Sequence, residues 1–139
     1  MKVIARNTKN LQVEINTGNH TLLADEPTGV GDDAGPDPYA LLLSALSACK
    51  VMTVLMYARR KDWSLEQVEI GLDISKIHAK DCGDCDSNPD AKVDLIEATL
   101  RFDGDLSAEQ IQRLKEISER CPVHRTLTGE IKIHSVLEN

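Results

Sequence analysis

Aromatic side chains are scarce in this chain: one Phe, two Tyr and one Trp among 139 residues. That excludes a surface built on base stacking. Positive charge is short as well, with 16 Lys and Arg against 23 Asp and Glu and a formal net charge of −7. A chain so acidic has no general basic surface to gather phosphates, so no nucleic-acid partner is expected. The opening Met1-Lys2-Val3-Ile4-Ala5-Arg6 lacks the apolar h-region of a secretory signal, and a cytoplasmic location is expected. No flavin, haem or nicotinamide motif is present either, so any redox chemistry falls to the cysteines themselves.

There are four of these, Cys49, Cys82, Cys85 and Cys121. In a reducing compartment they read as catalytic, metal-binding or inert thiols rather than as a disulfide framework. At 15.3 kDa the chain is long enough for one domain with a real core, expected to span residues 1–139.

One long apolar run stands out, from Pro38 to Ala58. Its length suggests a membrane span. Lys50 near its centre is costly in lipid, however, and Ser44, Ser47 and Thr53 dot the rest. It reads instead as a helix inside a soluble core, with no membrane partner. Asp37 is its N-cap, Pro38 takes the first helical position, and Arg59, Arg60 and Lys61 complement the negative end of the dipole. A helix apolar on nearly every face must be enclosed on every face, which a small domain with few helices cannot do alone. A homodimer is expected to cover part of it.

Around this helix the pattern is α+β. Val3–Arg6, Leu11–Ile15 and His20–Ala24 are strand candidates, the second with clean period-two alternation. A Gly-, Pro- and Asp-rich loop over 26–37 then leads to the helix, and its length marks it as a candidate functional loop. Val68, Ile70, Leu72 and Ile74 alternate as a fourth strand. A fifth carries Val93, Leu95, Ile96, Ala98, Leu100 and Phe102, and its phase slip at Leu95–Ile96 predicts a bulge. Ser107-Ala108-Glu109-Gln110 is a capping box opening a second helix. A short helical turn follows Cys121 and ends at Gly129, and Ile131 and Ile133 belong to a last strand.

Cys121 precedes Pro122, so it should N-cap the short turn, where unpaired N–H groups favour a thiolate; His124 and Arg125 add positive charge one turn on. Read locally, Cys121 is the more acidic thiol. Cys49 looks like a core cysteine, whose apolar surroundings raise its pKa unless a cation or donor reaches it from elsewhere. His78, Cys82 and Cys85, in His78-Ala79-Lys80-Asp81-Cys82-Gly83-Asp84-Cys85, supply three potential zinc ligands, with Asp81, Asp84 or Asp86 as a fourth. The bland reading of that segment is a polar loop with idle or occasionally bridged thiols. His20 and His134 read as solvated or packed, and Trp63 as packing.

Gly35-Pro36-Asp37-Pro38-Tyr39, the run Leu41 to Cys49, Met52-Thr53 and Met56-Tyr57-Ala58, together with Cys121-Pro122-Val123-His124-Arg125-Thr126-Leu127, resemble the two cysteine motifs of the OsmC/Ohr family, in its less-characterised OsmC-like branch. The resemblance implies an OsmC-like fold, with antiparallel sheets wrapped around the long buried helix in an intertwined homodimer. It also implies thiol-dependent reduction of organic hydroperoxides. Cys49 would be the attacking thiolate, Cys121 the resolving thiol, and a dithiol the reductant, with no cofactor required. The family's peroxidases carry a Glu after the helix-opening Pro, paired with an Arg of the N-terminal hairpin. This chain has Tyr39 and Thr8-Lys9-Asn10 at those places, so Lys9, Arg6 and Arg125 are the candidates to supply the positive charge. The missing pair motivates a second reading, a non-enzymatic dimer binding a small molecule or lipid; the Cys82–Cys85 loop offers a third, a zinc-binding or redox-sensing protein.

Overall fold

The computed structural model describes residues 1–139, which divide into two compact units, Met1–Ala45 and Leu46–Asn139. In the first, β1 (Ile4–Asn7), β2 (Val13–Thr17) and β3 (His20–Ala24) form an antiparallel sheet in that order. Thr17 pairs with His20 across a tight turn in which Gly18 takes φ 69°, a conformation that suits glycine. The loop after β3 is organised by one buried carboxylate. Asp25 accepts the N–H groups of Glu26 (2.8 Å), Asp32 (3.1 Å) and Ala34 (3.1 Å). Burial works against its ionisation, but the three donors outweigh it and hold its pKa below the ordinary value.

α1 (Pro38–Arg60) opens as the sequence demands, with the Ala40 N–H donating 2.9 Å to Asp37 Oδ1. As expected, one chain does not enclose this helix alone. Only Leu46, Lys50, Val54 and Ala58 are buried, one stripe of residues recurring every four positions. Leu42, Met52 and Met56 are exposed, because one chain of this size has too few layers to cover the remaining faces.

In the second unit β4 (Ser64–His78) and β5 (Lys92–Asp105) form a long antiparallel hairpin. The expected bulge at Leu95–Ile96 is absent: these residues pair in regular register with Ser75 and Ile74. The irregularity lies between Leu65 and Gln67. Gly104 faces it at φ +146°, where a Cβ would strike the Ser64 carbonyl oxygen. α2 (Ala108–Ser118) has both halves of its capping box formed, Gln110 N–H to Ser107 Oγ at 3.1 Å and Ser107 N–H to Gln110 Oε1 at 2.9 Å. Its Leu114 and Ile117 close a core with Val54 and Ala58, against which Tyr57, Trp63, Leu65, Val68, Phe102 and Leu106 pack.

α3 (Pro122–Thr128) ends at Gly129 as expected. The last expected strand does not form. Residues 130–139 carry no regular structure, and Ile131, Ile133, Val136 and Leu137 are exposed. Alternation makes a strand only where a neighbouring edge completes the ladder, and β4 and β5 pair only with each other.

Candidate active site

The two motif cysteines come together where the middle of α1 meets the start of α3. Cys121 N-caps α3, its Sγ accepting the His124 N–H at 3.3 Å, with Pro122 at the start of the helix. Cys49, on α1, accepts the Val123 N–H at 3.5 Å. Both sulfurs therefore sit on the first turn of α3, within hydrogen-bonding reach of each other.

Their environments differ. Cys121 is fully buried and Cys49 half-buried. Burial is the largest influence on Cys121 and pushes its pKa up. The His124 N–H and the charge of Lys50 act the other way, while the neighbouring Cys49 adds to the rise. The N-cap therefore does not make Cys121 an acidic thiol, as the local sequence reading had it: lost hydration outweighs one N–H and a nearby cation.

Lys50 was not among the residues singled out for chemistry, and it is the charged group at the site. Its side chain is 4% exposed. Nζ donates 3.0 Å to the Ser118 carbonyl and 2.9 Å to His124 Nδ1. Ser118 closes α2, so the ammonium satisfies an otherwise unpaired carbonyl at the negative end of that helix. For His124 to accept from Lys50, its ring must be neutral with the proton on Nε2. Burial and then the Lys50 charge both lower the His124 pKa, with Glu119 partly opposing them. The available signal in the sequence was a lone cation in an apolar helix, directly after the candidate cysteine.

The remaining expected residues divide. His124 joins the site; Arg125, on the same helix, is exposed. Arg6, Lys9 and Tyr39 belong to the Met1–Ala45 unit and are exposed there. The proposed zinc set changes composition. His78 ends β4 opposite Lys92, and a 3-10 turn (Ala79–Asp81) separates it from the cysteines. The atoms that gather are the sulfurs of Cys82 and Cys85 with a carboxylate oxygen of Asp84, all within 4.8 Å of one another. The two sulfurs are joined as a disulfide. Trp63 packs as expected, edge-on to Tyr57 at 5.5 Å, and His20 and His134 are exposed.

An α+β chain with antiparallel sheets, a long helix and a cysteine pair bridging that helix to a short one defines a recognisable class. The model of the family described as OsmC-like protein matches residues 31–136, and the chain belongs to that family. No curated protein matches it. Among solved structures, it is similar to an OsmC-like protein from Mycoplasma pneumoniae, with 21% identity, a TM-score of 0.71, and coverage of 92% of this chain and 86% of that one. An organic hydroperoxide resistance protein OsmC from Legionella pneumophila is 19% identical at TM-score 0.64, covering 92% and 88%. The organic hydroperoxide resistance protein OhrB of Bacillus subtilis is 19% identical at TM-score 0.61, covering 92% and 90%. At these identities the likeness establishes the fold.

Proposed function

We propose that this protein reduces organic hydroperoxides through Cys49 and Cys121, as part of defence against oxidative stress. The observation that carries the reading is the pairing of the two sulfurs on the first turn of α3, one half-exposed and one buried. The names of the Legionella and Bacillus proteins support the substrate class. The Cys49 thiolate attacks the peroxide O–O bond and takes the outer oxygen as a sulfenic acid, and the alkoxide leaves and is protonated to the alcohol. Cys121 then attacks the sulfenic sulfur, forming the Cys49–Cys121 disulfide and releasing water. A dithiol returns both cysteines to thiols and becomes a disulfide itself. Val123 N–H and the Cys121 thiol are the donors nearest the Cys49 sulfur, and Lys50 supplies the positive charge beside the pair. Exposed Met52 and half-buried Thr53, one turn from Cys49 on α1, would offer an alkyl chain more apolar contact than hydrogen peroxide can use.

Consumption of an organic hydroperoxide in the presence of a dithiol tests this directly. Wild type should turn over, Cys49→Ser should not, and Cys121→Ser should stop after one equivalent with a trappable sulfenic acid. Equal rates in wild type and Cys49→Ser would sink the reading and leave ligand binding as the role of the fold.

The active form is proposed to be a homodimer, because Met52, Met56, Ile131, Ile133 and Val136 are exposed in one chain. Sedimentation equilibrium should give twice 15.3 kDa; a monomer at micromolar concentration refutes it.

A further inference from the structure

The Cys82–Cys85 disulfide lies between β4 and β5, at the end of the hairpin, and contributes little to holding it. The ladder already runs to His78 opposite Lys92. Beyond it, Ala79 N–H donates to the Ala91 carbonyl (2.8 Å), Lys80 N–H to Pro89 (3.1 Å) and Ala91 N–H to Asn88 (2.9 Å). A bridge across a sequence separation of 3 removes little freedom from the unfolded chain. Its sulfurs are half-exposed, with the exposed Gly83 and Asp84 between them. A solvent-reachable disulfide that the local fold does not need is open to reduction.

Reduction leaves two thiols beside one carboxylate, the three ligand atoms within 4.8 Å. Asp81, Asp86 and Asp90 add negative charge to the same segment. Two sulfur donors and one oxygen select a borderline-soft divalent cation over magnesium or calcium, and leave a fourth tetrahedral position for water. We propose that the reduced loop is a zinc site held by Cys82, Cys85 and Asp84, and that oxidation to the disulfide switches it off. Binding replaces two thiol protons with one Zn2+ ion, so the protons leave to solvent as the two Zn–S bonds form. A hydroperoxide reverses this by taking two electrons from the two thiolates and two protons from solvent: the S–S bond forms, the O–O bond breaks to give an alcohol and water, and the Zn2+ ion is released. None of its three ligands belongs to the Cys49–Cys121 pair, and the proposal does not depend on what Cys49 does.

Reduced full-length protein, freed of reductant under anaerobic conditions, is titrated with Zn2+ and, for its thiolate charge-transfer band, with Co2+. One equivalent is expected to bind and to shield two of the four cysteines from a thiol reagent. The hydroperoxide-oxidised protein and Cys82→Ser/Cys85→Ser should bind none, and Asp84→Asn should bind at least tenfold more weakly. The double variant should keep wild-type hydroperoxide turnover. Equal binding by wild type and the double variant, or loss of binding in Cys49→Ser instead, overturns the proposal. Unchanged affinity in Asp84→Asn overturns the three-ligand set.

Discussion

Lys50→Met is the most informative single change, because it removes the buried charge while filling nearly the same volume. Two hydrogen bonds go, at 3.0 Å to the Ser118 carbonyl and 2.9 Å to His124 Nδ1. Bonds from a charged donor contribute about 1.5–3 kcal/mol each. Against that loss, the native state no longer has to hold a desolvated ammonium, which costs several kcal/mol. What remains is a neutral carbonyl and a neutral ring, not a stranded charge. The net destabilisation is therefore expected at about 1–3 kcal/mol, below the roughly 3–5 kcal/mol that follows when an unpaired ion is left behind.

Stability alone cannot separate the role of the charge from the role of the bulk, since the two contributions oppose. Electrostatics can, because there the signs agree. The Lys50 charge disfavours protonated His124, so Lys50→Met must raise the His124 pKa, read from its ring resonances across a pH series. The same charge favours the Cys121 thiolate, so the variant must push the Cys121 thiol further up and slow its alkylation at fixed pH. Hydroperoxide turnover should fall about tenfold or more, the equivalent of roughly 1.4 kcal/mol in the barrier. A His124 pKa that stays put or falls, in a variant that remains folded, refutes the placement of the charge.

Three further outcomes follow from the same geometry. In the reduced protein at neutral pH, iodoacetamide should modify Cys49 well before Cys121, since the latter is fully buried with a raised pKa; peptide mapping of timed samples decides it, and equal rates count against the assigned roles. Leu114→Ala, at a fully buried position of α2 in the core shared with Val54 and Ala58, should cost about 2–5 kcal/mol in urea unfolding. Because the folded His124 pKa lies below its ordinary value, its contribution to stability is present above about pH 6.5 and is lost as pH falls through the folded pKa. Urea midpoints should drop on acidification in that window, and less so in His124→Gln.

What the sequence made legible was local. The Asp37 cap, the capping box at Ser107, the Cys121-Pro122 helix start and the Gly129 stop depend on residues a few positions apart, and each forms as expected. What escaped depends on distant partners. Lys50 meets Ser118 and His124 across separations of 68 and 74 residues, so from the sequence it read only as an obstacle to a membrane span. The bulge was misplaced for a subtler reason. Leu95 and Ile96 are both half-buried on opposite faces of a regular strand, whereas the true slip, from Leu65 to Val68, fell just before the point where alternation became clean. Ile131 and Ile133 show the reverse failure: their pattern suits a strand, but β4 and β5 offer no free place within the chain's own ladders.

In the proposed reaction, the order of events at the cysteine pair follows from burial more than from sequence motif. An N-cap thiol with a cation nearby is ordinarily the one to expect as a nucleophile, and Cys121 has both features. Yet it is fully buried, so a bulky hydroperoxide has no direct approach to it, and the same burial keeps it protonated. A protonated neighbour is useful to Cys49. Under the proposed mechanism it would donate to the attacking sulfur at the start, then need to lose its proton only once the sulfenic acid has formed. Reversing the roles would ask the shielded thiol to meet the substrate and the half-exposed one to wait. If Cys121 were the first to oxidise, the sulfenic acid trapped from Cys49→Ser would be as abundant as that from Cys121→Ser; the burial of Cys121 requires it to be far scarcer.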